Sequence, residues 1–128
     1  MADAVIATEV VTLRASLPVA LRTLALDACL RNLSRATPLR VCDEAEVLTK
    51  VGRWTDRLLR QTRVTRAACL IRSLVRYRML NERGVPARFV MGVRDRDGQM
   101  QGHAWVELRG QPVMEREDTS YYVTFSYP

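Results

Sequence analysis

Long apolar runs are missing from this 128-residue chain. Its most apolar stretch, LPVALRTLALDACL, is interrupted by Arg22 and Asp27 and falls short of the roughly 20 apolar residues that span a bilayer. The opening MADAVIATE lacks the basic start of a secretory signal. A soluble, cytoplasmic protein is the expectation. Cysteine is scarce and odd in number: Cys29, Cys42 and Cys69 show no CxxC spacing, which argues against both a disulfide framework and a zinc ribbon. Aromatic residues make up only 6% of the chain while hydrophobic residues reach 48%, so the core is expected to be aliphatic. No internal repeat or low-complexity tract is found, and histidine occurs once, at position 103.

Positive charge is plentiful. The formal net charge is +6, supplied almost entirely by arginine. Such a surface attracts nucleic acid, anionic membranes or acidic peptides without choosing among them. No aromatic interleaving or nucleic-acid motif accompanies the arginines, which read more simply as a solvated face. The length implies one domain over residues 1–128.

Residues 1–15 leave two readings, a short strand or a docking arm, because Val5, Ile6, Val10, Val11 and Leu13 are apolar without a settled period. Ser16 ahead of Leu17-Pro18 reads as an N-cap with proline in the first turn. Leu17, Ala20, Leu21, Leu24 and Ala28 then recur at helical spacing, predicting a helix that ends near Leu33. Pro38 bars its continuation. Asp43 with Glu46 three residues on begins a second helix in the manner of a capping box. Val47, Leu48, Val51, Trp54 and Leu58 form its apolar stripe, Arg53, Asp56, Arg57 and Arg60 its wet face, and Gly52 a point of close packing. Trp54 is expected to pack on the third helix. That helix runs from about Ala67, with Leu70, Leu74, Tyr77 and Leu80 inward and Arg72, Arg76 and Arg83 outward. It ends at Gly84 as a left-handed C′ residue, with Pro86 beyond.

The period then changes from helical to alternating. ARFVMGVR and GHAWVELR read as strands joined by a turn at Asp97-Gly98. QPVME and YYVTFSY are candidates for a third and a fourth. Helices followed by a small antiparallel sheet make an α+β fold, with residues 1–62 a helical lead-in and 63–128 one helix plus the sheet.

Cys69 falls in the first turn of the third helix, where unpaired N–H groups and the helix dipole favour a thiolate. Arg63, Arg66 and Arg72 lie nearby in sequence. Cys29, deep in a helix, and Cys42, just before one, lack that placement and read as inert. A cysteine nucleophile needs a base, and His103 is the only imidazole in the chain. The ring needs an acid to orient it. Glu115 lies beyond one tight turn, where an adjacent strand would carry it back to His103. Glu117 and Asp118 are fallbacks, and Glu107 sits on the same face of the same strand with poor reach. Trp105 reads as a core or site-wall residue. The alternative is that Cys69 is a buried structural thiol and His103 a half-buried strand residue, in a basic module that binds peptide or nucleic acid without catalysis.

CLIRSLVRYRMLNERGVPARFVMGVR followed by GHAWVELRGQPVME resembles the transglutaminase-like cysteine peptidase domain of the lasso-peptide leader peptidases, the microcin-processing maturation proteases. The shared features are a Cys-Leu opening an Arg-rich helix, a helix-ending glycine with proline two residues on, a Gly-Val-Arg strand, and His-Ala-Trp-Val-Glu before a glycine turn. They cover roughly residues 67–115. The resemblance implies a papain-like core, Cys69 as nucleophile, His103 as base and then acid, and Glu115 where the family carries aspartate. Ile71 also departs from the pattern, since many relatives have proline there. The implied reaction is hydrolysis between the leader and core of a ribosomal lasso-peptide precursor, with no metal, ATP or other cofactor. The implied partners are the precursor, a separate leader-recognition protein and the lasso cyclase, but no nucleic acid or membrane. The split form is expected because the residues ahead of Cys69 read as helices, not as a strand-rich recognition module. Residues 1–15 and the arginine-rich surface are candidate docking features. The same fold class also supports acyl transfer.

Overall fold

Helices precede strands, as the change of period predicts. The structure, a computed structural model, describes residues 3–23, 25–34, 43–59, 66–115 and 120–127. Among them α1 spans Asp3–Thr23, α2 Leu26–Ser34, α3 Glu44–Leu58 and α4 Arg66–Glu82. The strands are β1 (Arg88–Arg96), β2 (Gln99–Leu108), β3 (Gln111–Val113) and β4 (Tyr122–Tyr127). They form one antiparallel sheet in the order β3-β2-β1-β4. The α+β reading therefore holds.

Two tight turns set the sheet's register. Arg96 faces Gln99 across Asp97-Gly98, and Leu108 faces Gln111 across Arg109-Gly110. All four turn residues have positive φ, between 53° and 80°, as two-residue turns that match the twist of a hairpin require. Arg109 accepts this conformation while its guanidinium grips Glu44 at the start of α3 through two bonds of 2.8 and 2.7 Å.

The chain's first helix differs from expectation. Residues 3–15 are neither strand nor arm but the first turns of α1, and Ser16 is no N-cap: its hydroxyl donates back to the Leu13 carbonyl inside the helix. Pro18 lies within α1, where it lacks the N–H that would meet the Arg14 carbonyl, at a cost of about 3 kcal/mol relative to alanine. Tertiary burial overrides this. Ile6, Val10, Leu13 and Leu17 are spaced four, three and four apart, and the first two are fully buried. Val5 and Val11, off that stripe, stay exposed. The run of β-branched residues hid a helical period that only docking against α3 makes decisive. The single predicted helix to Leu33 is instead split between α1 and α2. Pro38, Cys42, Arg60, Arg63, Glu117 and Asp118 lie outside the described residues.

The second and third predicted helices match more closely. Asp43 caps α3, its carboxylate accepting from the Ala45 N–H at 3.2 Å. Gly84, at φ 80°, closes α4: its N–H reaches the Asn81 carbonyl and that of Val85 reaches Leu80, satisfying two of the last carbonyls. Trp54 makes its indole bond to Asp3, in the first turn of α1.

α4 is the centre of the molecule. It packs on β1 and β2 and on each of the other three helices. Leu74, Val75, Tyr77, Met79 and Leu80 are fully buried in it. For that reason Arg76 and Arg83 do not point away as expected; both are buried. Each long stem carries its charge to a neighbouring helix. Arg76 pairs with Asp56 of α3 at 2.7 Å, and Arg83 with Glu9 of α1 at 2.6 Å. Arg78 similarly donates to the Leu33 carbonyl of α2 at 2.7 Å.

The α1–α4 seam carries a pH dependence. Burial first, then the hydrogen bond to Glu9, pushes the Glu82 carboxyl up to about 7 from an ordinary 4.5. A group raised on folding contributes stability that is full below its unfolded value and is lost as pH rises through the folded one. The protein is therefore expected to lose stability between about pH 5 and 8 at this seam. Glu82→Gln should flatten that decline, as thermal midpoints at several pH values would show; an unchanged slope would contradict it.

Candidate active site

Cys69 is the fourth residue of α4, and its sulfur rests against β2. Sγ lies 2.9 Å from His103 Nδ1, and the Ala104 N–H donates to it at 3.1 Å. The Ala104 carbonyl is also 3.1 Å away, placed to accept from the thiol when it is protonated. On the other side of the ring, His103 Nε2 is 2.9 Å from Glu115 Oε2. Thus Cys69, His103 and Glu115 form one continuous chain of hydrogen bonds. The side chains of His103 and Glu115 are 14% and 8% exposed, so their interaction is little screened by water.

Glu115 arrives by an irregular path. β3 ends at Val113, and Met114 takes a left-handed conformation at φ 59°. That bend turns the chain out of the ladder one residue before the acid. Glu107, the same-strand alternative, does not reach the histidine: its carboxylate accepts from the Trp105 indole at 2.9 Å.

The imidazole packs beside two rings that also touch each other, their centroids 5.8 Å apart. Trp105 stacks on it at 5.8 Å and Tyr121 at 5.2 Å. Trp105 is almost completely buried, and the Arg94 guanidinium lies 4.5 Å over the Tyr121 ring. Trp105 is therefore a wall of the site. Tyr121 is not singled out by the sequence; its place at the head of the alternating YYVTFSY stretch, one residue before β4, gives only a weak signal.

Hydrogen bonds to Cys69 first and to Glu115 second raise the His103 pKa to about 9, against the opposing effect of burial. The ring thus stays protonated at neutral pH, with one N–H facing sulfur and the other facing carboxylate. Such an imidazolium can protonate a leaving group. Its raised pKa also stabilises the fold: the contribution is complete below about 6.5 and disappears as pH rises through about 9. Any reaction that needs the imidazolium should likewise decline through about pH 9. A kcat/KM profile that keeps rising well beyond that value would contradict the assignment.

Of the other cysteines, Cys29 is buried, and burial raises its pKa. No metal-ligand cluster is found among the described residues, and no helix among them is long and apolar enough to cross a membrane.

Comparison with protein families matches residues 5–126 to the transglutaminase-like superfamily. The chain belongs to that superfamily. The match spans β1 to β3, all but the last residue of β4 and nearly all of α1, well beyond the roughly 67–115 in which the motif resemblance lies. Transglutaminase-like domains are typically enzymes built on a Cys-His-Asp site, with protease-like or acyl-transfer chemistry. Neither curated proteins nor solved structures gave a significant match to this transglutaminase-like chain.

Proposed function

We propose that this transglutaminase-like protein is a cysteine peptidase that removes the leader from a ribosomally made lasso-peptide precursor. The observation that carries the peptidase reading is the hydrogen-bonded sequence from Cys69 through His103 to Glu115. The substrate class rests on the Cys-Leu, Gly-Val-Arg and His-Ala-Trp-Val-Glu motifs and their spacing.

In this mechanism the Cys69 thiolate adds to the carbonyl at the leader–core junction. The tetrahedral intermediate collapses as His103 gives its proton to the departing amine, which becomes the core N-terminus. Water, deprotonated by His103, then attacks the thioester; the leader leaves as a carboxylic acid and the thiolate is restored. Glu115 keeps the ring in the required orientation throughout. A cytoplasmic location, a separate leader-binding protein and the lasso cyclase as neighbour complete the proposal.

Incubation of the chain with candidate precursor and leader-binding protein tests it by mass spectrometry. A leader with a free carboxylate supports hydrolysis; a leader joined to an amine means acyl transfer, the other chemistry of the superfamily. Thiol labelling addresses the non-catalytic alternative: Cys69 should react much faster than Cys29 or Cys42 and slow when His103 is replaced. Equal labelling of all three would favour the basic binding module.

A further inference from the structure

We infer that Arg76, buried behind the site, is a positioning residue that sets the reach of Glu115 to His103. Arg76 sits two helical turns after Cys69 on α4 and is 2% exposed. Its guanidinium makes three directed bonds: Nε to Thr55 Oγ1 at 2.8 Å, one terminal nitrogen to Asp56 Oδ1 at 2.7 Å, and the other to the Met114 carbonyl at 3.1 Å. The last is the informative one, because that carbonyl belongs to the peptide unit that leads directly into Glu115.

Met114 is fixed at both ends. Its backbone stands in the left-handed region, uncommon for a side chain other than glycine. Its carbonyl is held by Arg76. Its side chain lies against Gly52 of α3, where even a Cβ on that glycine would come within 3.3 Å of Met114 Cγ and Sδ. Thr55 strengthens the frame: buried completely, it donates to the Val51 carbonyl at 2.7 Å, leaving its oxygen free to accept from Arg76. The fork of a guanidinium suits this task, since one planar group meets three acceptors at fixed angles. The line of contacts therefore runs from Asp56 and Thr55 on α3, through Arg76 on α4 and the Met114–Glu115 peptide, to His103 and Cys69.

A positioning role makes a prediction opposite in sign to that of a mere cation. Loss of a nearby positive charge alone would favour the imidazolium and raise the His103 pKa. Loss of the anchor lets Glu115 drift from Nε2 and lowers it. This inference rests on the triad reading, and one measurement separates the two. His103 is the chain's only histidine, so imidazole NMR reports a single titration.

Wild-type protein should titrate near 9. A wild-type value near the ordinary 6.5 or so would overturn the triad reading itself. With wild type near 9, Arg76→Met should titrate clearly lower and lose roughly 100-fold in kcat on a cleavable precursor, with KM little changed. Arg76→Lys keeps the charge beside Asp56 and should retain the fold if the methionine variant does not. One ammonium cannot reproduce the three-way fork, so its His103 titration should fall between the other two. A purely structural Arg76 would lower the thermal midpoint and leave the imidazole titration in place. An unchanged or raised His103 pKa in a folded Arg76 variant overturns the inference.

Discussion

Cys69→Ala is expected to reduce precursor cleavage by about five to six orders of magnitude, to the level left by binding alone. His103→Ala should cost about as much, and the double variant little more than either single one. Groups that act as one unit are not additive: once the nucleophile is gone, no tetrahedral intermediate forms and the imidazolium has no departing amine to protonate. Glu115→Gln should be milder, losing about four orders of magnitude, because it leaves sulfur and imidazole in contact but removes the carboxylate that orients the ring. Glu115→Asp is the informative conservative change. It restores the residue type of the superfamily, yet the 2.9 Å bond to Nε2 is made by the longer side chain. Aspartate from the same backbone falls about one methylene short, so activity should drop roughly 100-fold. Single-turnover cleavage across these five variants provides the ranking. Cleavage that survives Cys69→Ala would falsify the mechanism, and Glu115→Asp equal to wild type would show that the backbone at 115 adapts.

Gly92→Val is expected to have the second large effect, acting through shape without touching the reacting atoms. Gly92 stands opposite His103 in the β1–β2 ladder, and the β1–β4 register shifts between Met91 and Gly92. A Cβ here would meet Tyr121 Cβ at 2.8 Å, Trp105 Cη2 at 3.0 Å and the Tyr122 carbonyl at 3.0 Å. The first and third of these atoms lie on the backbone side of the step from Tyr121 into β4 and cannot swing aside as a side-chain tip can. Overpacking of this kind costs about 1–3 kcal/mol, with valine at the upper end, and should lower the thermal midpoint by roughly 5–10 °C. The same displacement shifts the two rings packed beside His103. Activity should therefore fall further than the folded fraction does. A valine variant with unaltered midpoint and rate would mean that β4 yields freely at this point.

The two variants probe different layers of the site. The triad series tests the groups that exchange protons. Gly92 tests the wall that keeps the imidazole upright and shielded from water, where hydrogen bonds to a charged ring gain strength. Arg76 lies behind both, so the site rests on contacts from α3, α4, β1, β2 and the segment that follows β3.

Much of this was legible in local patterns. Gly84 announces the end of α4 because only a residue free of a Cβ clash readily takes the left-handed turn there. Asp97-Gly98 announces the β1–β2 hairpin for a related reason. The pairing of Cys69 with His103 followed from chemical scarcity, since one imidazole leaves one choice. Glu115 was favoured by the short β2–β3 turn that returns the chain toward the histidine. Where local pattern failed, burial had reversed its meaning. Val5, Ile6, Val10 and Val11 have the composition of a strand and become helical because Ile6 and Val10 can bury on one stripe. Arg76 and Arg83 occupy the polar side of an amphipathic helix, but α4 has neighbours on all its faces.

The sequence by itself determined the order of helices and strands, the hairpin turns, the ends of α4 and the chemical types available for catalysis, because these depend on residues within a few positions of one another. Only the tertiary structure decided which arginines are buried, that α1 runs through Pro18, that Glu107 serves Trp105 while Glu115 reaches His103, and that Gly92 and Tyr121 border the ring. Those outcomes depend on which surfaces meet across tens of residues, where burial and hydrogen-bond geometry outweigh local preference.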